Sequence, residues 1–132
     1  MKLLISILLF TGFLFSSSAL AAGINFEKDL ETAKQKSIKE NKKLMIMYST
    51  PTCPECNYMK KKVFKNKDII SYTNENFVSV IMDIKKDEKI LPYKFIGIPT
   101  IYFADAKDMK LLSKKIGGTR EAQFLDILKS VK

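Results

Sequence analysis

The chain has 132 residues, 46% of them hydrophobic and 11% aromatic, which gives room for one domain with a single core and excludes a disordered chain. Its formal charge is +9, nearly all from lysine, because Arg120 is the only arginine; lysines scattered over predicted helices and turns read as a solvated surface, not a nucleic-acid face. Histidine is absent, which removes histidine-based acid–base catalysis, cysteine–histidine hydrolases and the usual zinc sites.

Residues 1–21 read as a secretory signal, with Lys2 as a short positive start, an apolar run from Leu3 to Phe15, and a small-residue end at Ala19-Leu20-Ala21. Cleavage is expected after Ala21, with Ala22 as the second choice. The apolar run reaches only about 20 Å as a helix, against the roughly 30 Å of a hydrocarbon core, and an uncleaved anchor is the alternative. The expected localisation is periplasmic. An oxidising compartment leaves a lone pair of cysteines two roles, a structural bridge or redox work.

Residues 25–41 place Phe26, Leu30, Ala33 and Ile38 at near-helical spacing behind Asn25 as a cap, which predicts an amphipathic helix. Leu44 to Tyr48 is a short continuous apolar run, suited to a strand buried on both faces. After the break at Ser49-Thr50-Pro51-Thr52, Pro54 fits the first turn of a helix running to about Lys65, with Cys56, Met59 and Val63 on one side. A short helical turn capped by Asp68 is expected up to Tyr72, then a second buried strand from Phe77 to Ile84, parallel to the first. A helix or loop containing Pro92 follows. Thr100–Phe103 and Leu111–Ile116 are predicted as an antiparallel hairpin, and Thr119 as the cap of a last helix that buries Phe124, Leu125, Ile127, Leu128 and Val131.

The two cysteines of the chain stand in Thr52-Cys53-Pro54-Glu55-Cys56, between the first strand and its helix. A sulfur at a helix start meets unpaired N–H groups and the positive end of the helix dipole, both of which favour thiolate. Cys53 is therefore the candidate nucleophile, and Cys56, one turn deeper on the same face, the candidate resolving thiol. Asn57 follows the second cysteine where haem attachment requires histidine. A structural zinc would have only carboxylates to complete four ligands. A purely structural bridge stays open as the bland alternative, although it closes too short a loop to constrain the unfolded chain much.

Gly97-Ile98-Pro99-Thr100 enters the third strand, and Pro99 is a candidate cis peptide, a trans proline at a strand start being the alternative. Together with the strand–helix pattern, Cys53-Pro54-Glu55-Cys56, Asn76-Phe77-Val78 leading to Asp83, Gly97-Ile98-Pro99-Thr100 and Gly117-Gly118, residues from Lys43 to Lys132 resemble the thioredoxin superfamily. The likeness is nearest to exported thioredoxin-like proteins and the C-terminal domain of the membrane thiol:disulfide interchange reductase. It implies an α/β thioredoxin fold over residues 22–132, a central mixed four-stranded sheet flanked by helices with an added N-terminal helix. It further implies catalytic Cys53 and Cys56, substrate-binding Pro54, Ile98, Pro99 and Thr100, and a shallow groove bounded by Cys53, Pro54, Ile98 and Pro99, in which the backbone of Ile98 pairs with client peptide. No cofactor is expected beyond a redox-active Cys53–Cys56 disulfide, and no metal.

Two departures qualify the resemblance. Thr52 stands where thioredoxins carry tryptophan, and Met47 where they bury an aspartate that assists proton transfer at the second sulfur. Glu55 is a candidate modulator, since a carboxylate beside Cys53 destabilises its thiolate and makes the pair more reducing. The expected activity is a reductase-leaning thiol:disulfide oxidoreductase, monomeric, acting on exported cysteine-containing clients and recharged by a membrane thiol:disulfide reductase. Family isomerases add a dimerisation region, for which residues 22–42 leave room for one helix. The alternative from another class is a binding or chaperone-like module with Cys53–Cys56 as a structural bridge.

Overall fold

A run of apolar residues forms a strand buried on both sides only if something covers each side, and alternate side chains must then sort to opposite faces. The computed structural model, which describes residues 21–132, has this arrangement. Strand β2 (Lys43–Ser49) sends Met45 and Met47 to one face and Leu44, Ile46 and Tyr48 to the other, all fully buried. It pairs in parallel with β3 (Phe77–Asp83), from Lys43 opposite Phe77 to Ser49 opposite Asp83, and antiparallel with β4 (Thr100–Ala104). Strand β5 (Leu111–Ile116) closes the expected hairpin with β4.

The sheet holds the four strands read from the sequence and a fifth, β1 (Phe26–Glu27), which pairs in parallel with β3 at its other edge, giving the order β1-β3-β2-β4-β5. Phe26, expected on a helix, lies instead opposite Ser79 with its ring 5.8 Å from that of Phe64. Helix α1 (Leu30–Glu40) is correspondingly shorter than predicted. Its cap is Asp29, whose carboxylate accepts from the Thr32 N–H at 2.7 Å, and Asn25 is not the cap. Ile38 is exposed, while Ala33 and Ser37 face inward.

One face of the sheet is covered by α2 (Pro54–Lys61), α3 (Lys67–Asn76) and α4 (Glu121–Ser130), which bring Met59, Ile69, Phe124 and Leu128 against Met45, Met47, Ile101 and Phe103. Helix α2 stops at Lys61, and Val63–Lys65 tightens into a 3-10 turn. Helix α3 replaces the predicted short turn. Its cap is Asn66, which takes the N–H groups of Asp68 and Ile69, so Asp68 lies inside the first turn. At the start of α4 the Thr119 hydroxyl bonds Gln123 Oε1 at 2.5 Å instead of capping, and Arg120 holds the cap position without a side-chain bond.

The other face is covered by α1 and by the irregular segment that precedes β4. Tyr48 anchors that segment: its hydroxyl donates to the Tyr93 carbonyl at 2.8 Å and accepts from the Tyr93 N–H at 2.9 Å. The Tyr102 ring lies 4.7 Å from Tyr48 and 4.9 Å from Tyr93, and its hydroxyl donates to the Lys94 carbonyl. These bonds fix the approach to Gly97-Ile98-Pro99. The expected signal at residues 1–21 lies, apart from Ala21, outside the described residues.

Candidate active site

Because β2 and β4 run antiparallel with Tyr48 opposite Thr100, the chain leaving β2 and the chain entering β4 meet at the same end of the sheet. Cys53 and Pro99 lie on those two segments. Cys53 is the N-cap of α2, in extended conformation, and Pro54 occupies the first turn. The loop before it is tied by Asn57 Nδ2, which donates to the Pro51 carbonyl at 3.0 Å, and by the Cys53 N–H, which reaches the Thr50 carbonyl.

Cys53 and Cys56 are joined by a disulfide, with Cα atoms 5.2 Å apart. Cys53 keeps 9% of its surface exposed and Cys56 none. The cluster that encloses them includes Met47, Met59 and Ile101, so the surroundings of the inner sulfur are apolar. Met47 itself is fully buried on β2, in the position where the resemblance would put an aspartate.

The Ile98–Pro99 peptide bond is cis, as the sequence suggested. Ile98 packs against the dithiol cluster, and among the described residues neither its N–H nor its C=O has a hydrogen-bond partner. The flanking groups are engaged: Pro99 O accepts from the Gly117 N–H at 2.8 Å, and the Thr100 hydroxyl donates to Gly97 O at 2.7 Å. Residues Phe95 and Ile96, just ahead, are exposed. Cys53, Cys56, Ile98, Pro99 and Thr100 are thus brought to one end of the sheet, with Thr100 buried beneath the others and Pro54 at the rim.

Glu55 is exposed and its carboxylate rests so close to Gly118 that a Cβ there would overlap it. It shares a shallow groove with Tyr58, Thr119 and Arg120. The Arg120 guanidinium lies over the Tyr58 ring at 5.3 Å and donates to its hydroxyl at 2.8 Å, a bond that pushes the arginine further up its already high range, with Glu55 adding to the effect. No sequence signal marks this pair, whose members are 62 residues apart.

The thioredoxin-like domain family model matches residues 27–132. Protein disulfide-isomerase A3 of Gallus gallus is 31% identical over 90 residues, 68% of this chain and 18% of that protein. Spermatogenesis-associated protein 20 of Rattus norvegicus is 40% identical over 53 residues, 40% of this chain and 7% of that one, so the chain spans less than a fifth of the length of these curated relatives. Among solved structures, a putative disulphide-isomerase from Bacteroides thetaiotaomicron superposes with a TM-score of 0.67 at 25% identity, covering 84% of this chain and 94% of that one. A DsbH oxidoreductase superposes with a TM-score of 0.69 at 21% identity, covering 85% and 86%, a likeness of fold.

Proposed function

Since the chain belongs to the thioredoxin superfamily, we propose that it is a thiol:disulfide oxidoreductase that leans toward reduction and works on exported clients in the periplasm. The observation that carries this reading is the unequal exposure of a joined pair, Cys53 with a small open fraction of its surface at a helix N-terminus and Cys56 fully buried behind it. In the reduced protein the Cys53 thiolate attacks a client disulfide and forms a mixed disulfide. Cys56 then attacks Cys53, which releases the reduced client and regenerates the internal bond. The unpaired N–H and C=O of Ile98 suit an extended client segment laid beside the sulfur, and Pro54, Pro99 and Thr100 shape the bed for it.

The reductase lean rests on Glu55, whose charge opposes the Cys53 thiolate and so favours the disulfide form of the protein. A dithiol donor is needed to recharge such an enzyme, and a membrane thiol:disulfide reductase is the class proposed. Export itself rests on the character of residues 1–21.

The test is capture. A Cys56→Ser variant is expected to accumulate disulfide-linked clients at Cys53, and a Cys53→Ser variant is expected to accumulate none. Failure of the Cys56→Ser protein to trap any client, with client binding that persists when both sulfurs are gone, overturns the reading in favour of a binding module with a structural bridge. Equilibration against glutathione tests the lean, and a potential near the oxidising extreme of about −120 mV contradicts it.

A further inference from the structure

Resolution of a mixed disulfide needs Cys56 as thiolate, yet among the described residues no carboxylate is buried to take its proton, and Met47 fills the position on β2. Lys60 follows Cys56 by four residues on α2, the spacing at which side chains share a stripe with Cβ atoms about 5–6 Å apart. Helical side chains lean toward the N-terminus, so Lys60 covers the turn of α2 that holds Cys56, although neither cysteine lines the groove its side chain enters. It lines a groove of about 310 Å³ with Ser49, Thr50 and Pro51, the residues that lead from β2 to Cys53.

Among the described residues, Lys60 makes no salt bridge and no side-chain hydrogen bond, unlike Lys36 with Glu27 and Lys42 with Glu40. Burial pushes its ammonium below the usual lysine range, and Asp83 opposes that only in part. The charged groups facing it are Asp83 at the end of β3, Lys86 and Asp87 in the turn beyond, and Lys28 and Asp29 ahead of α1. The carboxylates are engaged: Asp83 accepts from the N–H groups of Lys85 and Lys86, Asp87 from that of Asp83, and Asp29 from that of Thr32. A partly desolvated cation with no direct ion pair, offset only in part by Asp83, therefore stands one turn from the buried sulfur of Cys56.

We propose that Lys60 is a positioning residue for the resolving step, its charge stabilising the Cys56 thiolate while Cys53 is bonded to a client. The inference rests on the reading of Cys53–Cys56 as a redox pair. In the step, Cys56 releases its proton to solvent and its Sγ attacks Cys53 Sγ. The Cys53–Cys56 bond forms as the Cys53–client bond breaks, and the client sulfur leaves with the bonding electrons and takes up a proton. The protein dithiol is oxidised by two electrons and the client disulfide reduced to two thiols.

Lys60→Met and Lys60→Arg test this in a Cys53→Ser background, where thiolate absorbance against pH reports Cys56 alone. Lys60→Met is expected to raise the Cys56 pKa by about one unit and Lys60→Arg to restore it. In single turnover from a preformed mixed disulfide, with Cys53 intact, Lys60→Met should resolve about threefold more slowly below both pKa values. Tenfold less thiolate is there partly offset by its higher nucleophilicity. Above both values the variant should be about threefold faster. A packing defect would slow resolution at every pH, and that outcome, or an unchanged Cys56 titration, overturns the proposal. Lys60→Gln supplies the same comparison should Lys60→Met not fold. If the Cys53-intact protein forms no mixed disulfide with any disulfide offered, the redox reading fails instead, while the Cys56 titration still decides whether Lys60 acts on that sulfur.

Discussion

The backbone N–H of Cys56 donates to the Sγ of Cys53 at 3.2 Å, so a sulfur holds the N-cap place usually taken by a serine or aspartate oxygen. After reduction the same N–H, with the dipole of α2, favours negative charge on Cys53 and offers nothing to Cys56. Brief alkylation of the reduced protein at neutral pH is therefore expected to modify Cys53 and spare Cys56, as read by mass mapping of the peptides. Equal labelling would contradict the assignment of nucleophile and resolving thiol.

Glu55 works against that stabilisation. An anion beside a thiolate raises the thiol pKa, so Glu55→Gln should lower the Cys53 pKa by about half a unit, a small effect because the carboxylate is exposed and screened. A lower pKa stabilises the reduced protein, and the potential should become roughly 10–15 mV less negative. Titration of thiolate absorbance and equilibration with glutathione measure the two quantities. No movement in either would remove Glu55 from the redox balance.

Gly118 decides where that carboxylate lies. A Cβ at this position would overlap the end of the Glu55 side chain, which is flexible, and the backbone there is not in the left-handed region, unlike Gly117 at φ +80°. Gly118→Ala should leave stability within about 0.5 kcal/mol of the parent protein. It should also drive Glu55 out of the groove it shares with Arg120, so that its charge is less offset and the Cys53 pKa rises. The rise should vanish in a Gly118→Ala, Glu55→Gln double variant; its persistence there would assign the effect to the backbone.

Strands β2 and β3, the dithiol at a strand–helix junction and the proline before β4 were legible because each is a local pattern: an apolar run, a spacing, a residue with one missing donor. The starts of α1 and α3 were not. Asn25 and Asp29 are both good caps, and Phe26 continues a helical spacing that its pairing with Ser79 overrides. At α3, Asn66 and Asp68 compete in the same way, and the choice follows from which oxygen receives the two free N–H groups. The contact of Glu55 with Gly118 and the bond of Arg120 to Tyr58 join distant segments, and nothing in either segment alone encodes its partner. Lys60 lay within reach of sequence reasoning through its i, i+4 relation to Cys56, but one lysine in a run of three carries no mark of partial burial.

Tyr48 links the core to the groove. Burial pushes its phenol up to about 12, against an ordinary value of 10, and the bond with Tyr93 opposes this only partly. A phenol whose pKa is raised on folding contributes stability that is complete below about pH 10 and is lost as pH rises through about 12. Tyr93 and Tyr102, also raised by burial, add to the same alkaline loss. Tyr48→Phe leaves the N–H and C=O of Tyr93 without partners, at a cost of about 1–3 kcal/mol near pH 7. Urea unfolding at pH 7 should show that loss, and a series from pH 9 to about 12 should show a shallower decline than in the parent, because one of the three phenols has gone. The same substitution frees the segment that leads to Ile98 and Pro99. Client disulfide reduction should therefore fall at pH 7 under conditions where the variant remains folded, with Cys53 still open to alkylation. An alkaline decline as steep as the parent's would show that Tyr48 titrates as an ordinary exposed phenol, and unchanged reduction would separate the segment's anchoring from client binding.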